Sequence, residues 1–494
     1  MTEISSKPKI TSLDIARSWC KENGFIFPSS EIYGGFAAVY DYGHYGYLLK
    51  ENIKKLWEKS MSQERNDVLL LDSAIFMHPK TWDASGHLSS FSDVLIEDKK
   101  THVRYRADHL VEDWLNSKTK EELEQIATQL TNESVKEMVV KRNLDKATPE
   151  EIYEIMKVSK FPGLENYTVP RNFGLMVKSN LGVTDGTITD ENAVYLRAET
   201  CQGIYLNFKN VLQSYRMKLP FGIAQVGKAF RNEIVARQFI FRTREFEQME
   251  MQYFLHPSMM SQKFEEWKNI RMNWYIETLG INPKRLRFRD HDKLAHYASA
   301  ACDIEYKFGS IGEFKEVEGI HARGDWDLGN HQKFSGENLD YFDQETNERF
   351  IPHVLETSVG LNRCVMMVIE DSLYEEEFKD TDGSKNFRTV MKIKKTLAPI
   401  KVAVLPLSKK MELQNKSIEV QSMLKTHFFT QYDETGSIGK RYRRQDEIGT
   451  PYCVTIDFET LNDNCVTVRD RDTMKQDRVS ISDLTDYLLV NLNS

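Results

Sequence analysis

The stretch from Arg231 to Phe254 carries charged and aromatic side chains in an order that could hold a ligand. It reads RNEIVARQFIFRTREFEQMEMQYF, and its second half alternates as a β-strand does. This pattern predicts a strand over residues 238–254. Because successive side chains of a strand point to opposite faces, one face is predicted to carry Arg242, Arg244, Phe246, Gln248, Glu250 and Gln252.

The spacing on this face suggests what it could bind. Residues four positions apart on a strand are separated by about 13 Å, so Arg242, Phe246 and Glu250 span a mononucleotide joined to a small amino acid. A guanidinium can hold phosphate oxygens bidentately, a phenyl ring can stack on a base, and an acid can bind an ammonium group. The alternative is the polar outer face of an antiparallel sheet with cross-strand ion pairs. The opposite face is largely apolar and could pack on the core; it carries Phe239, Phe241, Thr243, Met249, Met251 and Tyr253.

Length and composition limit the classes of protein to consider. The chain has 494 residues, 40% hydrophobic and 28% charged, which is typical of a globular protein of two to four domains. No apolar run approaches the roughly 18 residues of a membrane helix, and the N-terminus has no secretory signal pattern. The six scattered cysteines favour a reducing cytosol over a disulfide framework. A net charge of −8 argues against general attraction to nucleic acid but allows local basic patches.

Helical and strand periodicities outline the elements that must position this face. Residues 47–60 and 204–215 have apolar side chains at helical spacing, and 222–230 is predicted to be a strand. Residues 110–160 are charged and helix-prone, which indicates a solvated helical insertion. The segment 357–371 is predicted to be a turn followed by a helix that is apolar on nearly all sides and therefore buried.

A second domain is predicted near the C-terminus. After Pro399, the segment KVAVL is typical of a buried strand, and a helix is expected over 411–426. Strands such as YCVTIDF and CVTVRDR follow. This alternation of strands and helices indicates a separate α/β domain of about 95 residues.

Five segments, in this order, carry a family resemblance. GGFAAVYDYGHYGYLLKENIKKLW, YLRAETCQGIYLNF, the FRNE to MEMQYF region, HVLETSVGLNRCVMMVIED and the C-terminal GSIGKRYRRQDEIGTPYCVTIDFETL resemble the homodimeric glycyl-tRNA synthetase family. The resemblance runs from about residue 10 to the end. It implies an α/β (α+β) fold, with a class II antiparallel-sheet catalytic domain over 1–396, a helical insertion at about 110–160, and an α/β anticodon-binding domain over 397–494.

The resemblance implies residues for the substrates. In the family, the residue matching Arg231 holds the α-phosphate of ATP, that matching Phe246 stacks on adenine, and those matching Arg242 and Arg363 hold the outer phosphates with Mg²⁺. The three arginines are the expected catalytic residues. The expected ATP contacts are Arg231, Asn232, Glu233, Phe241, Arg242, Phe246, Glu316, Val317, Gly360 and Arg363. The expected glycine contacts are Arg106, Glu199, Phe246, Gln248, Glu250, Glu356, Ser358 and Gly360.

Partners follow from the same resemblance and from local charge. The family forms homodimers through the segment that matches residues 34–57, and it binds tRNA(Gly). The densest basic cluster, GKRYRRQD, predicts tRNA contacts at Arg441, Arg443 and Arg444, with Tyr442 or an arginine stacking on anticodon bases. The alternative is that acids such as Asp446 and Glu447 pair with these arginines.

Some positions depart from the family pattern. His44 and Thr357 stand where proline is usual, and Cys201 replaces a common alanine. Because KKTHVRYRADH lacks cysteines, no structural zinc is expected before RADH. The sequence RGD at 323–325 is attributed to chance and not to cell adhesion.

Two other functions remain open. One is a binding protein of the same architecture without catalysis, such as the accessory subunits of some organellar polymerases. The other is a class II synthetase for proline, threonine, serine or histidine. The arginines, Phe246 and the three acids Glu199, Glu250 and Glu356 favour glycine activation over both.

Overall fold

The computed structural model describes residues 6–144, 147–181, 193–233, 238–291, 299–379 and 385–492. The chain divides into two compact units, one with residues 1–73, 200–228 and 238–494 and the other with 74–199 and 229–237. The predicted domain boundary after residue 396 lies inside the first unit and stays a prediction.

The described part of the chain contains α-helices and strands that are numbered here in chain order. The helices are α1 (Leu13–Glu22), α2 (His44–Glu58), α3 (Pro79–Ala84), α4 (His87–Ser90), α5 (Ala107–Asn116), α6 (Lys120–Thr128), α7 (Glu133–Lys141), α8 (Pro149–Val158), α9 (Cys201–Leu206), α10 (Phe208–Ser214), α11 (Met260–Asn273), α12 (Trp326–Ser335), α13 (Leu361–Ser372), α14 (Met411–Leu424), α15 (Ile438–Glu447), α16 (Thr460–Asp463) and α17 (Leu484–Leu492). The strands are β1 (Ser6–Pro8), β2 (Ile26–Pro28), β3 (Tyr40–Tyr42), β4 (Val68–Leu70), β5 (Ser92–Glu97), β6 (Arg104–Arg106), β7 (Arg171–Gly174), β8 (Val177–Asn180), β9 (Ala193–Leu196), β10 (Phe221–Phe230), β11 (Glu245–Leu255), β12 (Leu286–Asp290), β13 (Ala300–Phe308), β14 (Glu313–Gly324), β15 (Tyr341–Asp343), β16 (Glu348–Phe350), β17 (His353–Gly360), β18 (Leu373–Lys379), β19 (Lys385–Met391), β20 (Val402–Pro406), β21 (Thr430–Tyr432), β22 (Tyr452–Ile456), β23 (Cys465–Asp470) and β24 (Gln476–Ser480).

A seven-stranded sheet forms the centre of the first unit. Its order is β12-β13-β14-β17-β11-β10-β4. The pairs from β12 to β11 are antiparallel, and β10 pairs with β4 in parallel. The alternation of β11 places Met249, Met251 and Tyr253 in the core, with at most 1% of each side chain exposed. The antiparallel sheet predicted from the sequence is therefore confirmed, with β4 added in parallel at one edge.

Two helices cover the core face of this sheet. Every residue of α13 except Arg363 is buried, as its apolar sequence predicts. Helix α2 packs Leu49, Ile53 and Trp57 into the same core. Gly46 lies against the Phe25 carbonyl so closely that a Cβ would sit 2.0 Å from its oxygen, so this helix packs on the preceding segment by direct backbone contact.

The C-terminal residues of the first unit form a five-stranded sheet of order β21-β20-β22-β23-β24. Strand β20 pairs in parallel with β21 and β22, while β23 and β24 continue antiparallel. The predicted α/β architecture is confirmed. Arg388 of β19 contacts this domain by donating to Asp446 of α15 at 3.0 Å. It also donates to Glu376 of the neighbouring strand β18 at 2.8 Å.

The second unit contains the predicted helical insertion. Thr119 and Thr148 begin α6 and α8 as capping boxes with Glu122 and Glu151, an arrangement that satisfies free N–H groups at both helix starts. Residues of α5 to α8 enclose an apolar core of their own. The insertion therefore has a buried interior in addition to its solvated surface.

Three local predictions differ from the structure. Residues 239–241 form a 3₁₀ turn with Phe239 at φ 52°, because all three consecutive side chains are buried; the strand begins only at Glu245. Helix 204–215 is divided at Asn207, whose side chain donates to the Gly203 carbonyl at 2.8 Å and competes with helix bonding. Residues 357–360 belong to β17 and not to a turn.

Among the described residues, no helix combines the length and apolar character needed to cross a membrane.

Candidate active site

Antiparallel pairing of β11 with β17 assembles the polar face predicted from the sequence. Gln248 lies opposite Gly360, Glu250 opposite Ser358, and Gln252 opposite Glu356. At most 8% of Gln248, Glu250, Gln252 and Glu356 is exposed. These side chains therefore do not form a solvated outer face, and that alternative is excluded.

Glu250 accepts hydrogen bonds from three directions. The Thr200 amide donates to Oε2 at 3.1 Å, and the Thr200 hydroxyl donates to the same oxygen. Ser358 Oγ donates to Oε1 at 2.7 Å, and Gln248 Nε2 donates to it at 3.2 Å. Hydrogen bonds to a buried carboxylate stabilise its charged form, so this network suits an ionised Glu250. The sequence did not identify Thr200, which directly follows the RAE of the expected glycine-binding segment.

Glu356 is held by a second network that includes charged donors. Gln252 Nε2 donates to Oε2 at 2.8 Å, and His321 Nδ1 lies 2.9 Å from Oε1. Arg323 Nη1 donates to Oε2 at 3.2 Å, and its other nitrogens bind Asp327 at 2.7 and 2.9 Å. Arg323, 6% exposed, is the arginine of the RGD sequence. The sequence analysis missed its role, although its i, i+4 spacing to Asp327 was a signal.

Three buried groups converge between these networks. The Sγ of Cys201 and carboxylate oxygens of Glu250 and Glu356 lie within 4.8 Å of one another. Two carboxylates at this separation repel each other unless a cation lies between them. Glu250 accepts N–H and O–H donors from the protein and Glu356 accepts N–H donors, so oxygens of both carboxylates could also accept hydrogen bonds from a small cation such as an ammonium group.

Arg363 lies in the first turn of α13, the helix that directly follows β17. Its Nε donates to the Phe241 carbonyl at 3.2 Å, and its Nη1 lies 3.1 Å from the Glu316 carbonyl and 3.2 Å from the Glu316 carboxylate. The guanidinium carbon lies 4.3 Å from the centroid of the Phe241 ring. A helix N-terminus favours anions, so this fixed cation is well placed for phosphate.

The side chains of several predicted ATP contacts are buried or contact other residues of the protein. Phe241 is 7% exposed and Val317 is 1% exposed, so both side chains belong to the core. Phe241 supports Arg363, and a nucleotide could meet Val317 only through its main chain. Arg242 lies before the first residue of β11, and Phe246 lies in the strand and is half-buried.

The remaining predicted substrate contacts belong to the second unit. Arg106 lies between Asp93 at 3.2 Å and Asp108 at 3.1 Å. Glu199 Oε1 lies 3.4 Å from His87 Nε2. Arg231 Nε donates to the Ala198 carbonyl at 3.1 Å. The backbone amides of Asn232 and Glu233 donate to the carbonyls of Leu175 and Arg231 at 2.8 and 2.7 Å.

The C-terminal basic cluster opens helix α15, as the sequence predicts, but its side chains differ in exposure. Arg441 is 2% exposed and donates to the Asp433 carbonyl at 3.3 Å, which argues against a tRNA contact. Arg444 binds the Asp433 carboxylate at 2.9 Å, and Arg443 donates to the Phe387 carbonyl at 2.7 Å.

Two further residues of this helix have partners on other elements. The Tyr442 hydroxyl lies 2.6 Å from Thr455 Oγ1, and the ring packs against the small buried cluster of Ala403, Leu405 and Cys453. Stacking of a base on Tyr442 stays a prediction. Asp446 pairs with Arg388 and Arg469 and not with the arginines of its own helix.

Comparison with known proteins covers nearly the whole chain. Residues 186–372 match the tRNA synthetase class II core domain (G, H, P, S and T), and 401–491 match an anticodon binding domain. The glycine–tRNA ligase of Chlorobaculum tepidum is 45% identical over 96% of this chain and 99% of its own. That of Borreliella burgdorferi is 48% identical over 95% of both chains.

The chain belongs to the glycine–tRNA ligase family. The glycine–tRNA ligase of Treponema denticola, 45% identical over 96% of this chain and 95% of its own, agrees. A prolyl-tRNA synthetase from Cryptosporidium parvum, complexed with halofuginone and AMPPNP, has a TM-score of 0.60 at 16% identity over 99% of this chain and 78% of its own. That likeness concerns the fold alone. The predicted class II core and anticodon-binding domain are thereby confirmed.

The pH dependence of stability offers a test of the Glu356 network. Burial lowers the pKa of His321, but the hydrogen bond and charge of Glu356 outweigh burial, so the pKa rises above its ordinary 6.5. The other charged groups facing His321 are Arg323 and Asp303, and the His291 ring centroid lies 6.0 Å away. A raised pKa gives stability that is complete below the ordinary pKa and is lost as pH rises through the folded value.

We therefore expect His321→Gln to lower the melting temperature most near about pH 6 and progressively less towards about pH 9. Thermal denaturation followed by circular dichroism across this range would measure the difference. His427→Gln, at an exposed position, is the control and should show a small, constant difference. A His321→Gln difference that stays constant or grows with pH would contradict the ion pair.

Proposed function

We propose that this chain activates glycine with ATP to form glycyl-adenylate and pyrophosphate, and then transfers glycine to the 3′ end of tRNA(Gly). The observation that carries the proposal is the similarity to glycine–tRNA ligases along nearly the full length of the chain. The polar face of β11 and β17, with Arg363 beyond it, supports the first step by combining acids for an ammonium with a cation for phosphate.

In the first step, the glycine carboxylate would attack the α-phosphorus of ATP, and pyrophosphate would leave. Negative charge builds on the phosphates in this reaction, so fixed positive charge lowers the barrier. Arg231, Arg242 and Arg363 are the proposed sources of that charge. No protein nucleophile is required, because positioning and electrostatics supply the acceleration.

Mg²⁺ is the expected companion of ATP, and one acid near Arg363 fits it. Carboxylate oxygens and substrate phosphates are the usual ligands of Mg²⁺. The Glu316 side chain is 49% exposed and lies 3.2 Å from Arg363, so it can offer an oxygen beside the proposed phosphate site. When bound, the ion would neutralise charge on the phosphates.

Selection of glycine would depend on the steric exclusion of larger amino acids. Glu250 and Glu356 are proposed to bind the ammonium group, with Gln248 and Ser358 beside them. Because these groups are packed into a buried pocket, a larger amino acid would lack room for its side chain. Glycine has no smaller competitor, so the weak discrimination that follows from losing one methylene does not arise.

The second step requires one tRNA to contact two sites of the protein, the anticodon-binding domain and the active site. We propose that the C-terminal α/β domain binds the anticodon while the ribose hydroxyl at the tRNA 3′ end attacks the glycyl carbonyl. The adenylate phosphate itself is proposed to accept the proton. A cytosolic location remains the expectation for such an enzyme.

Two alternatives predict different assay results. A non-catalytic relative would bind nucleic acid without supporting exchange between ATP and pyrophosphate. Another class II synthetase would support that exchange with proline, threonine, serine or histidine. Glycine-dependent exchange of labelled pyrophosphate into ATP, measured across these amino acids, therefore tests the proposal, and its absence with glycine would refute it.

The phosphate assignment predicts the effect of Arg363→Ala. Loss of one fixed charge at the phosphates should lower the rate of glycine-dependent exchange on the order of 10²-fold, and it should also raise the KM for ATP because bound ATP loses the same contact. Phe246→Ala should instead mainly raise the KM for ATP, since stacking on a base is worth about 1–3 kcal/mol. Arg349→Ala, in the exposed β15–β16 hairpin, is the control. Unchanged exchange by Arg363→Ala would refute the assignment.

We also propose a homodimer, supported by an exposed apolar surface. The buried face of α2 packs in its own chain, but the preceding segment exposes Ile32 and Tyr33 at 87% and Phe36 at 59%, and α2 itself exposes Tyr47 at 52%. A two-fold interface would cover this surface in both subunits.

Light scattering at micromolar concentration should therefore give twice the chain mass of 57.6 kDa. Ile32→Asp with Tyr33→Asp should shift the mass towards that of one chain, because two charges would be buried without partners. Val490→Asp, 70% exposed on α17, should leave the dimer intact. A single-chain mass for the unmodified protein would exclude the dimer.

The remaining candidate tRNA contacts are Arg443 and Arg444. If they bind phosphates, Arg443→Ala with Arg444→Ala should weaken tRNA binding and flatten its salt dependence, by about one unit of slope per lost contact. Binding isotherms at several salt concentrations would measure the slope. Lys416→Ala on α14 with Lys425→Ala directly after this helix is the matched control. An unchanged slope in the arginine variant would show that Arg443 and Arg444 only hold the domain together.

A further inference from the structure

A fully buried ion pair lies beneath the proposed nucleotide site. Arg271 of α11 donates through Nε to Glu318 Oε1 of β14 at 2.7 Å, and both side chains are 0% exposed. Helix α11 covers the face of the sheet opposite the polar residues of β11, because its buried Phe264 and Trp267 belong to the same core as Met249 and Met251.

The pair is poorly suited to a purely stabilising role. Among the described residues, Arg271 Nη1 and Nη2 have no hydrogen-bond partner, so most of the donor capacity of this buried guanidinium is unused. The guanidinium rests on the Trp274 ring, 4.5 Å from its centroid. A buried ion pair with incomplete hydrogen bonding often stabilises a protein no more than apolar side chains of the same size. We therefore ask how this pair affects the geometry of the strand that carries Glu318.

That effect is visible in the register of β14. Glu316 lies opposite Glu305 of β13, but Glu318 lies opposite Ile304, so Val317 is an extra residue. Such a bulge redirects the side chains that flank it. Val317 and Glu318 both enter the core, at 1% and 0% exposed, while Glu316 is 49% exposed on the other side.

The bulge connects the buried pair to Arg363. Both the carbonyl and the carboxylate of Glu316 contact the Arg363 guanidinium, at 3.1 and 3.2 Å. The next residue of α13, Cys364, is close enough to the pair that the Glu318 charge, after burial, helps to raise the pKa of its thiol. On β14 the anchored Glu318 is therefore two positions from Glu316, and on α13 Cys364 is adjacent to Arg363.

We propose that Arg271 and Glu318 are positioning residues for the nucleotide: the ion pair anchors the bulge in β14, and the bulge sets Glu316 so that Arg363 is held in place for phosphate. This inference rests on the proposed function, because it assigns Arg363 to ATP. Neither Arg271 nor Glu318 touches substrate. Loss of the anchor should affect ATP and not glycine, because the proposed glycine-binding acids lie on β11 and β17, and His321, which holds Glu356 from β14, lies beyond the bulge in regular pairing with β17.

The test uses two variants of the full chain in the pyrophosphate exchange assay. Glu318→Gln keeps the side-chain shape but removes the charge. Arg271→Met with Glu318→Met removes both charges and should recover thermal stability, because apolar replacement of a buried pair is tolerated. We expect both variants to raise the KM for ATP on the order of tenfold, by misplacing Arg363, with the KM for glycine unchanged.

A matched control separates positioning from loss of stability. Glu376→Gln, and Arg388→Met with Glu376→Met, alter a pair in which each side chain is 1% exposed, in the β18–β19 hairpin. They should change the melting temperature without changing the KM for ATP.

Three results would overturn the inference. These are a normal KM for ATP in the thermally recovered Arg271→Met, Glu318→Met variant, an equal rise in the KM for glycine, or an equal rise in the KM for ATP in the control. If the unmodified protein shows no glycine-dependent exchange, the proposed function fails and the inference fails with it. An active unmodified protein with any of the three results refutes the inference alone.

Discussion

The register of β11 against β17 is the constraint on which the proposed site depends. The side chains of a strand alternate, so a shift of one residue would exchange the two faces completely. In this register, Met249 and Met251 enter the core, while Glu250 lies opposite Ser358 on the polar face. The core thus fixes the register, and the register brings together acids that are more than 100 positions apart in the chain.

Burying those acids creates an electrostatic requirement that the neighbouring elements meet. A buried carboxylate without donors is expensive, and here each has several. Thr200 at the start of α9 serves Glu250, while His321 and Arg323 on β14 serve Glu356. The neighbouring strand and helix therefore do more than support the sheet, because they supply hydrogen-bond donors to two acids in one small space.

Buried charge also joins the elements away from the pocket. Arg388 connects the β18–β19 hairpin to Asp446 of the C-terminal domain, and β18 follows directly after α13. Arg271 and Glu318 connect α11 to the bulge in β14. In both places, a directional ion pair fixes one orientation of two elements, which apolar contact alone specifies less sharply.

The sequence by itself determined what depends on local pattern and on family motifs. The alternation of β11, the apolar helix α13, the α/β order of the last hundred residues and the family were all predictable, because periodicity and spacing reflect burial directly. The same reasoning extended β11 too far, since three consecutive buried side chains at 239–241 do not alternate. The same reasoning predicted one continuous helix over 204–215. In the structure α9 ends before Asn207, whose side chain donates to the Gly203 carbonyl.

Only the tertiary structure decided which charged residues are partners. Arg441 belongs to a basic cluster in the sequence, yet it is buried and donates to backbone carbonyls of neighbouring segments. Arg323 belongs to an RGD sequence that local pattern leaves without a role, yet it binds Glu356 in the interior. The physical reason is that the partner of a charged side chain lies on another element, tens to hundreds of residues away, and local spacing carries no information about which elements meet.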